Sequence, residues 1–182
     1  MPMRGAVERG DLALCKWLLA NGAQIDMETT NGQHWRPIGF ACENGHLDVV
    51  KWMHEQGVSL RLLPAKSREE RQYEIYNVGS TPLARDAAGG QMDSINYLLA
   101  NGAKADLNLR THIKTTQPWH ESKSIEYSPA LWRAAAGGHV EAVRQLLDNG
   151  AQLKSANGLS ALHLAALHGH AEVFNLLRER GA

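Results

Sequence analysis

Nine histidines are the first residues of this chain that could do chemistry. A metal centre needs several imidazole, thiolate or carboxylate groups converging on one point. His163, His168 and His170 come closest along the chain, but no His-Glu-x-x-His pair sets two of them on one helix face. Cys15 and Cys42 are two thiols, too few for a disulfide scaffold. Phosphate-loop, dinucleotide-binding and Gly-x-Ser-x-Gly motifs are missing. Acidic residues are scattered, and no fixed carboxylate pair suggests acid–base work. The expectation is a chain that is not an enzyme, with no cofactor and no metal.

Composition narrows the partners. The 182 residues are about one domain by length, with 19 basic residues against 19 acidic ones. A balanced chain has no global electrostatic reason to bind nucleic acid or an anionic membrane. No apolar run nears the roughly 18–20 residues of a membrane helix, and Met1-Pro2-Met3-Arg4 opens no signal peptide. Asn-x-Ser/Thr sequons are also absent. An intracellular setting, cytoplasmic or nuclear, is the expectation.

The elements that position these residues are set by glycine. One fourteen-residue block occurs five times, opening at Gly10, Gly45, Gly90, Gly138 and Gly169. A second glycine follows twelve residues later, at Gly22, Gly57, Gly102, Gly150 and Gly181. Apolar residues between them keep helical spacing, as in Val140, Val143, Leu146 and Leu147. A closing glycine suits a helix C-terminus in left-handed conformation. Before each opening glycine runs a shorter apolar segment, such as Thr81-Pro82-Leu83 to Gly90 or Ser160-Ala161-Leu162-His163 to Gly169. Thr or Ser ahead of Pro or Ala is a helix start. Each unit is thus helix, turn, antiparallel helix and connecting loop. Arg9-Gly10-Asp11 spells an adhesion tripeptide by accident, because its glycine is one of these turns.

These blocks resemble the ankyrin repeat family. The Thr-Pro-Leu-His, Ala-Ala, Gly-His and Leu-Leu-x-x-Gly-Ala elements appear most completely in residues 158–182, and the likeness covers nearly the whole chain. It implies an all-α repeat solenoid, a stack of helix pairs with β-hairpin fingers, two of them elongated. The approximate repeats are 1–28, 29–60, 76–106, 124–154 and 155–182 of one domain spanning 1–182. It also implies that His163 and His170 hydrogen-bond within and between repeats, with His46 and His139 repeating the role of His170. Cys15 and Cys42 fall at core registers that Val50 and Ala87 hold in other units. Trp17, Trp52 and Tyr97, each seven residues after an opening glycine, should form a packed ladder that Gln145 ends.

The period breaks in two places. Opening glycines are 35, 45, 48 and 31 residues apart, against about 33 in the family. The excess lies at about 61–75 and about 107–123. In the first, Ser67 and Glu70 have capping-box spacing and predict a short helix from about Arg68 to Ile75. In the second, Leu107, Leu109 and Ile113 alternate with polar residues, and Ser124–Tyr127 reads as the returning strand. Either these loops have drifted, or they form a partner-binding element with Trp119 and His120 near its tip. Arg85 and Arg133 occupy a register that is apolar in Phe40 and Leu164, and Asp86 is the expected partner of Arg133.

The resemblance implies a module that binds another protein or peptide. Its concave face carries over to Trp35, Glu43 and Asn44, then Ser80 and Ala88, Ser128, and Leu167 with His168. Two further readings stay open: the recognition segment of a longer multidomain enzyme or effector, and a scaffold that self-associates through its terminal repeat.

Overall fold

The computed structural model describes residues 2–25, 36–61, 81–108, 111–114, 124–127, 129–153 and 160–182. Ten α-helices lie in these residues, alternating short and long. The first helices of the five units are α1 (Pro2–Glu8), α3 (Pro37–Glu43), α5 (Pro82–Gly89), α7 (Ala130–Ala136) and α9 (Ala161–Leu167). The second helices are α2 (Leu12–Ala20), α4 (Leu47–Glu55), α6 (Met92–Ala100), α8 (Val140–Asp148) and α10 (Ala171–Glu179). First helices pack consecutively, α1 on α3, α3 on α5, α5 on α7 and α7 on α9. The second helices from α4 onward pack more lightly on one another. Repeat stacks bury their apolar faces in this way, each unit against its neighbours.

All ten periodic glycines have positive φ, from 66° to 101°. After Gly22, Gly57, Gly150 and Gly181 the chain makes the six-to-one bond of a helix C-terminus, such as Ala151 N–H to the Leu146 carbonyl at 3.0 Å. The opening glycines do the same between helices, as in His139 N–H to the Ala134 carbonyl at 3.0 Å. The spacing of twelve is thus one turn, a nine-residue helix and a second turn.

The opening turn also carries the bond between units. His46 Nε2 donates to the Glu8 carbonyl at 3.0 Å, His139 Nε2 to Ala88 at 2.8 Å and His170 Nε2 to Ala136 at 2.9 Å. A carbonyl can only accept, so Nε2 bears the proton in each. The same rings lie against Gly10, Gly90 and Gly138, where an added Cβ would come within 2.5–2.6 Å of Nδ1. Glycine there is required by the neighbour as well as by the backbone. In the third unit Gln91 takes the histidine's place, its amide over Gly45.

Loop bases are tied across units as well. Arg36 donates to the Ser59 and Arg61 carbonyls at 3.1 Å each, and Arg61 faces Asp106 at 3.7 Å. Asn108 bonds both the Gly150 carbonyl at 3.3 Å and the Gln152 N–H at 2.8 Å. The strand expected from Leu107 starts later. Ala103–Asp106 is a 3₁₀ turn and Leu107 is buried behind it; an apolar side chain with core to cover stays in the core. Thr111–Lys114 (β1) then pairs antiparallel with Ser124–Tyr127 (β2), Ile113 opposite Ile125. The helix expected at 68–75 and the tip between β1 and β2 lie outside the described residues.

The core runs the length of the stack without a break, from Met3 and Val7 to Val173 and Leu177. Cys15 and Cys42 are part of it, both fully buried and free. The aromatic ladder is uneven. Trp52 is buried, Tyr97 is half-buried with its hydroxyl 2.8 Å from His54 Nδ1, and Trp17 is 60% exposed. Gln145 turns to Asn96 at 2.8 Å instead.

His139→Ala removes one inter-unit bond and leaves the Ala88 carbonyl unpaired by it. It should cost about 1–3 kcal/mol in urea unfolding, whereas His168→Ala, at an exposed ring, should stay within about 0.5 kcal/mol.

Candidate functional site

The first helices end in a row of residues one and two places before each opening glycine. Glu43 and Asn44 lie there in the second unit, Ala88 and Gly89 in the third, Ala136 and Gly137 in the fourth, and Leu167 and His168 in the fifth. Successive first helices pack side by side, so these positions line one edge of the stack. Glu43 has a side chain 49% exposed and is ion-paired with Arg85. Asn44 Nδ2 donates back to the Phe40 carbonyl at 2.9 Å, closing its own helix. Ala88 is half-buried, and its carbonyl receives His139. Leu167 is 77% exposed, and His168 stacks on His170 with ring centroids 6.3 Å apart. Trp35, Ser80, Trp119, His120 and Ser128 lie outside the described residues.

Arg85 reaches this row from an apolar register. Its stem passes over Gly39, where a Cβ would meet Cδ at 3.0 Å, and its guanidinium sits 5.4 Å from the Phe40 ring centre. Arg4 lies over the same ring at 4.5 Å. Cation–π contact of this kind contributes about 0.5–2 kcal/mol. Arg85 is 7% exposed, and burial lowers its pKa while Glu43 acts in the opposite direction. The cation is therefore mostly desolvated and its carboxylate partner mostly wet.

The expected Asp86–Arg133 pair does not form. Asp86 is fully buried; one carboxyl oxygen accepts from Ser94 Oγ at 2.6 Å and the other has no hydrogen-bond partner. Register alone suggested a pair across the unit boundary. The Asp86 side chain instead points into the core, at the position held by Ala41, Ala134 and Ala165 in other units. Ser94 on α6 is its matching polar residue, a relation the sequence signals only as two polar residues at buried registers. Burial raises the Asp86 pKa to about 7, against the hydrogen bonds from Ser94 and the Cys42 thiol. Burial likewise pushes the Cys42 thiol well up, so it is a poor nucleophile at neutral pH.

His163 Nδ1 lies 2.9 Å from Ser160 Oγ at the start of α9, a local contact. Ser160 makes no side-chain bond to the helix N-terminus, although Thr81 does cap α5, to Ala84 N–H at 3.1 Å. Among the described residues no group of three or more His, Cys, Asp or Glu side chains could hold a metal ion. None of their helices is long and apolar enough to cross a membrane.

Helix pairs joined by glycine turns and bonded by one repeated imidazole contact define a known architecture. The family model for ankyrin repeats (3 copies) matches residues 3–111 and again 112–182. The chain belongs to the ankyrin repeat family. The human ASB11 ankyrin repeat domain has the same fold, with a TM-score of 0.71 at 22% identity over 100% of this chain and 70% of that one. A rice protein (Oryza sativa subsp. japonica) described as probable E3 ubiquitin-protein ligase XBOS32 is 25% identical over 187 residues. That match takes in 97% of this chain, which spans 37% of the rice protein's length. Ankyrin repeats are in general protein–protein interaction modules, and the fold is typically non-catalytic.

Asp86 predicts a pH dependence with a definite sign. An unfolded carboxyl ionises near 3.8 and the folded one near about 7, so the folded chain holds the extra proton between these values. Stability should fall as pH rises through this window, by of order 1 kcal/mol per pH unit, and level off above it. Urea midpoints measured from pH 4 to pH 8 should show this slope in the parent and lose it in Asp86→Asn.

Proposed function

We propose that this ankyrin chain is a non-catalytic binding module for another protein or peptide. It engages that partner through the first-helix edge, its inserted fingers, or both. The observation that carries the reading is the mixed character of that edge. A wet carboxylate at Glu43, small residues from Ala88 to Gly137, and exposed Leu167 and His168 follow one another along it. A flat helix or extended segment approaches closely over the small residues, while the ends supply polar and apolar contacts. Trp35 and Trp119 are the aromatic anchors this reading assigns, because tryptophan is enriched at binding hot spots. The partner needs no nucleic acid or lipid character. Two buried free thiols fit an intracellular, reducing setting.

A second reading has its own support. The chain spans 37% of the rice protein described as a probable E3 ubiquitin-protein ligase. In this reading the same module recognises substrates for a longer multidomain protein, and the binding surface is unchanged.

Affinity capture with three forms tests the site: the intact chain, a deletion of Lys114–Ser122, and the double variant Trp35→Ala with Glu43→Gln. Circular dichroism checks that each is folded. Capture lost only with the deletion assigns the partner to the finger, and capture lost only with the double variant assigns it to the first-helix edge. A specific partner held equally by all three contradicts the proposed surface.

A further inference from the structure

Charge is divided between the two sets of helices. Every second helix from α4 to α10 carries one acidic residue more than it has basic ones, as with Glu141 and Asp148 against Arg144. The first helices carry the opposite excess, with Arg4, Arg85 and Arg133 against Glu8 and Glu43. Asp86, the remaining carboxyl there, is turned into the core and keeps its proton up to about pH 7. Among the described helices, a chain of zero net charge is thus cationic along the first set and anionic along the second from α4 onward.

The three arginines form one group. Arg4 from α1 and Arg85 from α5 both lie over the Phe40 ring of α3, at 4.5 and 5.4 Å from its centre. Arg133 on α7 holds the register of Arg85 one unit further on. Burial is the main cause that lowers the Arg85 pKa, Glu43 opposes it, and the nearby Arg133 charge lowers it again. Guanidiniums from three helices therefore share one stretch of the edge. Glu8 receives Arg4 at 2.9 Å, and Glu43 receives Arg85. Glu43 also displays the chemistry this stretch accepts, a half-exposed carboxylate seated on a buried guanidinium. Partly removed from bulk water, such a charged hydrogen bond is stronger than a surface pair.

We infer that this stretch is the docking site for an acidic, extended segment of a partner protein, whose carboxylates are received by Arg4, Arg85 and Arg133. The inference rests on the partner-binding edge proposed above and adds the chemistry of what binds there. The cations come from α1, α5 and α7, so they follow the direction of stacking. The small rim residues Ala88 and Gly89 let a slim chain come close to them. The acidic second helices repel the same segment from the opposite side, which steers it to this one. The second helices of another copy are a poorer occupant, because Arg85 lies too deep for a broad helix face to reach.

The probe is a fluorescein-labelled peptide of alternating Glu and Ser, titrated by polarisation against the intact chain at low and at physiological salt. Peptides alternating Lys with Ser, and Gln with Ser, are the controls. The Glu peptide should bind, less tightly as salt rises, and the controls should not. Arg4→Gln and Arg133→Gln should each weaken it by about fivefold, the upper end for a part-exposed ion pair. Arg133→Lys should recover most of that loss. The double variant Lys16→Gln with Arg144→Gln removes two charges from second helices and should leave binding unchanged. Circular dichroism checks each fold, and two arginines on separate helices are tested so that one variant that fails to fold leaves the other to decide. Weakening by the second-helix pair as great as by the arginines overturns the inference, as does no affinity for the Glu peptide. Tighter binding of a single-stranded DNA of equal charge overturns it too, as does self-association in sedimentation that Arg4→Gln abolishes. Capture lost in Trp35→Ala with Glu43→Gln, together with no affinity for the Glu peptide, overturns this inference alone and leaves the edge as the binding surface.

Discussion

An imidazole lying on a neighbour's glycine is the contact on which the rest of this fold depends. His139 makes two bonds with one residue. Its backbone N–H closes the turn of its own unit on Ala134, and its ring donates to Ala88 in the unit before. Turn and interface are therefore fixed together. The glycine must be glycine twice over, for its positive φ and for the ring pressed against it. Once this geometry is set, neighbouring first helices lie close enough to share a core, and the residues ending those helices line one edge.

That constraint also explains how the second helices begin. His46, Gln91, His139 and His170 occupy N-cap positions, yet none makes a side-chain cap. Their side chains are committed to the preceding unit. Asp11 is the exception, and it caps its own helix. A short side chain that accepts locally and a longer one that reaches across units are alternatives at one register.

Much of this was legible in the sequence because glycine has few reasons to recur at a fixed spacing. The spacing of twelve gave the helices and both turns, and the buried registers of Cys15 and Cys42 followed from it. What the pattern missed were matters of direction. Asp86 and Arg133 are close in register, but register does not say that Asp86 turns inward to Ser94. Leu107 alternates like a strand residue, yet the uncovered core beside it claims the side chain first. Trp17, Trp52 and Tyr97 share a register and differ in exposure because the units packed against them differ. Arg85 at an apolar register was visible as a conflict. Its resolution through Glu43 and the face of Phe40 required three dimensions. Of the candidate binding residues, those ending first helices follow from the period, while Trp35, Trp119 and His120 fall in loops whose spacing obeys no repeat.

The most direct measurement is proton NMR of the imidazole Hε2 protons of His46, His139 and His170. The account predicts three slowly exchanging Hε2 resonances, each with a nuclear Overhauser contact to the α-protons of Gly10, Gly90 or Gly138 in turn. Hε2 protons that exchange as fast as that of exposed His168, without those contacts, would contradict it.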